Sequence, residues 1–280
     1  MRDRLSCELV EPGEERELLS FLERDPVANL RLVWTVRRWG LLNLGLAEQG
    51  AFLAVRSGGR IRGVLFRDNL GLWRTAAGAD EARFLVRSAM DLWGPPVAMT
   101  GRREEVEGIL ADFPELSGAV VRREEEVSLV LEPGDFVPRK PELAEEAEEE
   151  DLESLAGLER SFQLEYMGSV SRDWEIRLRM LRLVEAGAAA LARWEGKPAA
   201  KAEMEAVTPR ADELGGVYTL PRFRRRGLAA AVCSLLCSRS LSRGKVVRLE
   251  AREDNHAAIS LYRSLGFREL WPHLVVVFRR

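Results

Sequence analysis

The chain has 280 residues, of which 46% are hydrophobic and 31% charged, with a formal net charge of −3. That length holds two ordinary domains or one large one, and the composition is that of a soluble globular protein. The small net charge gives no bulk electrostatic support for nucleic-acid binding. No segment is long and apolar enough to cross a bilayer, and the charged stretch from Met1 to Glu17 lacks a signal-peptide core. The odd count of cysteines, Cys7, Cys233 and Cys237, argues against a disulfide framework, and His256 and His273 alone assemble no metal-ligand set. A cytoplasmic protein without a metal is expected.

In chain order, Glu14 to Leu46 reads as helical, with Leu18, Leu19, Phe21, Leu22, Leu30, Val33, Trp34 and Leu41 supplying apolar faces. Ala51 to Arg56 and Arg60 to Phe66 form a hairpin around Ser57-Gly58-Gly59. A boundary is expected near residue 140, where Glu132-Pro133-Gly134-Asp135 is a turn and Pro138 and Pro141 frame an extended link. Glu142 to Glu153 carries eight carboxylates in twelve residues, which reads as a solvated surface or linker.

Beyond it, Asp151 to Leu164 and Trp174 to Glu185 read as helices. Ala188 to Trp194 and Ala199 to Val207 read as a hairpin around Glu195-Gly196-Lys197-Pro198. Arg56, Gly59 and Arg60 match Arg193, Gly196 and Lys197 at one constant offset, a short echo between the halves. A strand from Glu213 to Thr219 leads to a helix from Gly227 to about Arg243, then a strand from Lys245 to Ala251. A helix opening at Asn255 and two strands, Phe267 to Leu270 and Leu274 to Phe278, complete the pattern.

The most informative segment is Val217-Tyr218-Thr219-Leu220-Pro221-Arg222-Phe223-Arg224-Arg225-Arg226-Gly227-Leu228-Ala229. A strand enters an arginine cluster and a small-residue step before a helix starts, so backbone N–H groups and a helix dipole converge where a phosphate fits. It spells neither the nucleotide-hydrolase loop nor the dinucleotide Gly-x-Gly-x-x-Gly. An ordinary strand-to-helix turn with a solvated basic patch is the competing reading. Further on, Asn255-His256-Ala257-Ala258-Ile259-Ser260-Leu261-Tyr262-Arg263-Ser264-Leu265-Gly266-Phe267 reads as a capped amphipathic helix with a glycine stop.

Together these segments resemble the GNAT superfamily of acyl-CoA-dependent N-acetyltransferases. Its hallmarks are Gln/Arg-x-x-Gly-x-Gly/Ala, here Arg224, Gly227 and Ala229, followed by Asn-x-x-Ala-x-x-Leu-Tyr-x-x-x-Gly-Phe, here matched at every fixed position. The resemblance implies an α/β (α+β) fold with a mixed, mostly antiparallel sheet flanked by helices. It implies a catalytic domain over 139–280 and an α/β domain over 1–138 that is a degenerate copy of the same fold, as in tandem GNAT proteins. Residues 1–138 do not spell the phosphate loop, so such a copy should not bind the cofactor.

Acetyl-CoA is the implied co-substrate, held by Arg224, Arg225, Arg226, Gly227, Leu228, Ala229 and Ala230 at its pyrophosphate. Val217, Tyr218 and Thr219 would meet its pantetheine arm, and Asn255 would cap its helix and touch that arm. By resemblance Tyr262 is the proton donor to the departing thiolate, with packing of its helix as the competing reading. Glu213 lies where several relatives carry a base glutamate, although a strand-end glutamate is also commonly just solvated. Glu203 and Glu205 share one face of their strand and would line the acceptor cavity, or form a solvated edge. Cys233 and Cys237 sit on a helix body away from a base, so direct attack in a ternary complex is expected rather than a covalent intermediate. The expected partner is a small-molecule or peptide amine, with no nucleic acid and no membrane; a homodimer is left open. A non-catalytic acyl-CoA-binding or regulatory module that keeps the fold is the alternative from another class.

Overall fold

The computed structural model describes residues 5–279, so Met1–Arg4 of the charged N-terminal stretch lie outside the described residues. The chain divides into two compact units, Met1–Ser128 with Leu270–Arg280, and Leu129–Glu269.

In the first unit, β1 (Ser6–Leu9) leads to α1 (Glu15–Leu22) and α2 (Leu30–Trp39), then β2 (Gly50–Ser57), β3 (Arg60–Asp68) and β4 (Leu72–Ala76). These are followed by α3 (Ala79–Trp93), β5 (Ala98–Arg102), α4 (Arg103–Asp112), α5 (Pro114–Ser117) and β6 (Val120–Leu131), the last three residues of which belong to the second unit. The segment read as helical from Glu14 to Leu46 holds two helices, α1 and α2. Pro26 has no N–H to donate and disfavours helix at Asp25, and Gly40 at φ +63° ends the second one. Leu18 and Leu22 of α1 pack with Val33 and Val36 of α2 onto Phe52, Val64 and Phe66 of the sheet.

In the second unit the order is β7 (Ala144–Glu146), α6 (Leu152–Met167), α7 (Asp173–Glu185), β8 (Ala189–Trp194), β9 (Lys197–Val207) and β10 (Ala211–Thr219). Then come α8 (Leu228–Leu241), β11 (Val246–Arg252) and α9 (His256–Ser264). The strands lie in the order β11-β10-β9-β8-β7, antiparallel except for β10 with β11. The acidic run is structured. Its carboxylates occupy edge strand β7, a 3-10 turn over Glu149–Asp151 and the start of α6, where negative charge suits the helix dipole.

The segment expected as a link near residue 140 is packed against the second unit. Val137 N–H donates to Leu265 C=O and Arg139 N–H to Ser234 Oγ. The compact units divide at 128/129, and Leu270–Arg280 belong with the first of them. β12 (Arg268–Phe278) is one strand rather than two, and it completes the first unit by pairing antiparallel with β5 from His273↔Arg102 to Val277↔Ala98. Pro272 stands just before those pairs, where its missing N–H costs no bond with β5.

The echo between the halves extends to strand register. Both hairpins turn through two residues at positive φ, Gly58 and Gly59 in one, Glu195 and Gly196 in the other. Both carry a bulge immediately before the matched arginine, Val55/Arg56 in β2 and Ala192/Arg193 in β8. Each arginine then reaches a carboxylate 42 residues earlier in the chain, Arg56 to Glu14 and Arg193 to Asp151.

Candidate active site

β10 and β11 pair in parallel only at Ala211↔Val246, Asp212↔Val247 and Glu213↔Arg248, so Glu213 stands at the last pair before the strands part. β10 also breaks register with β9 between Gly215 and Tyr218. Past Thr219 the chain makes a 3-10 turn over Pro221–Phe223, and Leu220 N–H anchors it to Ala199 C=O. Arg225 and Gly227 then both adopt positive φ, +64° and +84°, before α8 begins at Leu228. Alternation of φ sign along successive residues is the backbone form of an anion-binding nest.

The first helical backbone bond runs from Ala231 N–H to Gly227 C=O, which leaves the N–H groups of Leu228, Ala229 and Ala230 without an intrahelical acceptor. No acidic side chain lies in that first turn. The corresponding helix of the first unit, α3, carries Asp80 and Glu81 in its first turn, charges that repel an anion there. A Cβ at Gly78, its N-cap, would meet the Glu81 carboxylate at 2.9 Å.

The expected arginines divide in their roles. Arg224 donates through Nε to Thr219 C=O at 3.1 Å and through Nη2 to both oxygens of Glu165, at 2.6 and 2.7 Å. Arg226 lies over the Trp194 ring, 4.5 Å from its centroid. The Tyr218 hydroxyl also donates to Glu165, at 3.0 Å, and its ring meets Phe162 and Tyr166 edge-on. Burial first, then the bond to Glu165, pushes the Tyr218 phenol up to about 12, while the bond from Arg224 holds the Glu165 carboxyl below its ordinary value. Sequence reasoning missed Glu165; its position in the last turn of α6 gives no spelling signal. Thr219 Oγ1 is buried with no hydrogen-bond partner among the described residues.

Asn255 caps α9, its Oδ1 accepting from Ala258 N–H at 3.1 Å. Tyr262 on that helix is buried against Phe267, rings 5.7 Å apart, and burial drives its phenol well above its ordinary value, so it keeps its proton. Glu213 is buried and faces Arg248, whose Nη2 lies 3.6 Å from it and 3.2 Å from Glu250. Glu203 is not an open lining group: it is fully enclosed and ion-paired with Lys201 and Arg179. Glu205, on the same face, lies 3.8 Å from Arg179. Burial raises both Cys233 and Cys237, the former to about 12, so neither is a thiolate nucleophile. His273 lies in the first unit, 2.7 Å from Thr100 Oγ1.

Residues 194–276 match the family model described as FR47-like protein. No curated protein matches the chain in sequence. Among solved structures, a GNAT-family acetyltransferase from Colwellia psychrerythraea superposes with a TM-score of 0.65 at 12% identity, covering 98% of this chain and 100% of its own. A Drosophila protein gives 0.68 at 17% identity, with 98% of each chain covered. A tandem GNAT protein from the clavulanic acid biosynthesis pathway gives 0.60 at 16%, covering 97% of this chain and 98% of its own. The resemblance to the GNAT superfamily is borne out at the level of fold, a mixed α/β architecture with a mostly antiparallel sheet flanked by helices, over both halves of the chain. Among the described residues, no helix is long and apolar enough to cross a membrane.

Proposed function

We propose that the chain is an acetyl-CoA-dependent N-acetyltransferase that moves an acetyl group to a primary amine by direct attack in a ternary complex. The observation that carries this reading is the bare N-terminus of α8, entered through two positive-φ residues and free of acidic side chains. The residues present fit a pyrophosphate: Gly227 has no side chain to hold a phosphate off, and the N–H groups around Leu228–Ala230 point where one would sit. Val217 to Thr219 would offer backbone groups to the pantetheine arm where β10 leaves its neighbours, and Thr219 Oγ1 adds a polar atom in need of a partner. Asp80 and Glu81 are the physical reason to expect no second cofactor site in the first unit.

Bound acetyl-CoA supplies an acyl group activated as a thioester. Tyr262 holds a phenolic proton well beyond neutral pH and would give it to the sulfur as negative charge develops there. Glu213, at the vertex where β10 and β11 part, would take a proton from the incoming ammonium, directly or through water. The acceptor is a small-molecule or peptide amine, and a cytoplasmic setting suits this substrate pair.

Titration calorimetry of the full chain with acetyl-CoA, followed by thiol release with a panel of primary amines, tests the reading. One site per chain and amine-dependent release are expected. Two sites per chain, or none, would overturn it, and binding without release for any amine would favour the non-catalytic module.

A further inference from the structure

The second unit encloses a ring of charge. Lys201 and Glu203 on β9 are 0% exposed, and Glu159 on α6 is nearly as buried. Lys201 Nζ lies 2.7 Å from Glu159 Oε2 and donates to Glu203 and, at 3.0 Å, to the C=O of Gly216 on β10. Arg179 on α7 closes the ring by pairing with Glu203 and, at 3.3 Å, with Glu159. Burial alone would raise the Glu159 carboxyl, but Lys201 and Arg179 outweigh it and hold it low.

Such a ring is a poor way to stabilise a fold. Desolvating each ion costs several kcal/mol, and well-packed apolar residues in its place are often as stable or more so. The first unit contains that replacement. At the constant offset that matches the two hairpins, Leu22, Val64 and Phe66 stand where Glu159, Lys201 and Glu203 stand, and all three pack in one apolar cluster. The fold itself therefore does not require the ring.

One feature of the sheet changes with it. In the first unit the β3–β4 ladder runs evenly from Val64↔Ala76 to Arg67↔Trp73. In the second, the β9–β10 ladder is irregular between Gly215 and Tyr218, and Lys201 pairs in register with Tyr218 at the far side of the break. The Lys201 ammonium grips the carbonyl of Gly216, one of the two residues inside the break. Gly216 has φ +55°, and a Cβ there would stand 2.7 Å from the Glu203 carboxyl carbon, so backbone and ring are packed against each other. A trans peptide is planar, so a Gly216 C=O held toward Lys201 turns the Val217 N–H away from the ring.

We propose that Lys201, held by Glu159, Glu203 and Arg179, is a positioning residue that fixes the Gly216–Val217 peptide and thereby aims the Val217 N–H as a donor to an acyl carbonyl. What that donor meets rests on the acyl-transfer reading; the grip of the ring on the bulge does not.

The test transplants the apolar solution of the first unit into the second, as Glu159→Leu with Lys201→Val and Glu203→Phe in the full chain. Lys201→Met with Glu203→Gln serves as a milder variant should the triple one fail to fold. A folded protein melting within a few degrees of the wild type, with the Gly216–Val217 peptide reoriented in its crystal structure, is expected. Affinity for CoA lacking an acyl group should fall far less than kcat, because the pyrophosphate loop at Gly227 is untouched, while kcat falls about 10²-fold, the usual loss for one removed carbonyl donor. A variant crystal structure in which the peptide keeps its orientation would overturn the proposal, as would unchanged kcat with a reoriented peptide. A wild type that binds no acetyl-CoA would count against the acyl-transfer reading instead, and the peptide orientation would still decide this one.

Discussion

Gly227 separates binding from folding more cleanly than any other position in the loop. Its φ of +84° is a conformation that L side chains adopt at a cost of about 1–2 kcal/mol, more for a β-branched one. Space within the protein is not the obstacle, since a Cβ there would meet only Lys140 Cδ, at 3.5 Å, an ordinary contact. Gly227→Val should therefore lower stability by about 2 kcal/mol, a shift of a few degrees in Tm. The cost to cofactor binding should be larger. A side chain at the mouth of the α8 cradle would keep a pyrophosphate from N–H groups whose charge-assisted bonds contribute about 1.5–3 kcal/mol each, so losing two amounts to at least about 10²-fold in Kd. Calorimetry with CoA, paired with thermal unfolding of the apo protein, measures both. Wild-type CoA affinity in a folded Gly227→Val protein would refute the assignment of this loop.

The other predictions concern groups whose surroundings differ sharply. Gly266→Ala should destabilise severely, because a Cβ there would fall 1.9 Å from the Asp135 carbonyl oxygen, and a large drop in Tm checks it. Tyr262→Phe keeps the ring that packs on Phe267 and should leave CoA affinity intact while kcat falls roughly 10²-fold or more. Because burial raises that phenol above its ordinary 10.0, the proton-donating form persists on the alkaline side; kcat should show no loss on approaching pH 10, and a fall beginning near pH 8 would contradict the role. Native protein treated with a thiol alkylator should remain unmodified at Cys233 and Cys237 by mass spectrometry, since both are enclosed and their thiols raised.

The loop and the Asn255 helix were legible because they are spelled locally, in backbone needs that only small residues or a particular cap can meet. Asn255 makes its cap bond where the sequence placed it, and Gly227 stands at the step into α8 with, in addition, a positive φ. The Arg56 and Arg193 hairpins were legible for the same reason, since a two-residue turn fixes its own register.

Misreadings came where distant partners decide the outcome. Leu274 to Phe278 reads as a strand, but nothing in its alternation tells that β5 is its neighbour. Glu203 was read as lining a cavity or forming a solvated edge because strand periodicity gives its face and not its company. Lys201 on that same face and Arg179 from α7 neutralise it. One signal was available there: a lysine between Ala200 and Ala202 in an apolar strand has to find a carboxylate. The acidic run is the solvated surface its composition suggests, with every glutamate exposed, but composition alone does not show that Glu145 and Asp151 both meet Arg193.

The most direct measurement follows free thiol and N-acetylated product together when the full chain is mixed with acetyl-CoA and a panel of primary amines. Stoichiometric release of CoA thiol and formation of acetylated amine for at least one acceptor, both abolished by Gly227→Val and slowed by Tyr262→Phe, is the predicted result. Tight acetyl-CoA binding with no amine acetylated, or turnover untouched by Gly227→Val, would contradict it.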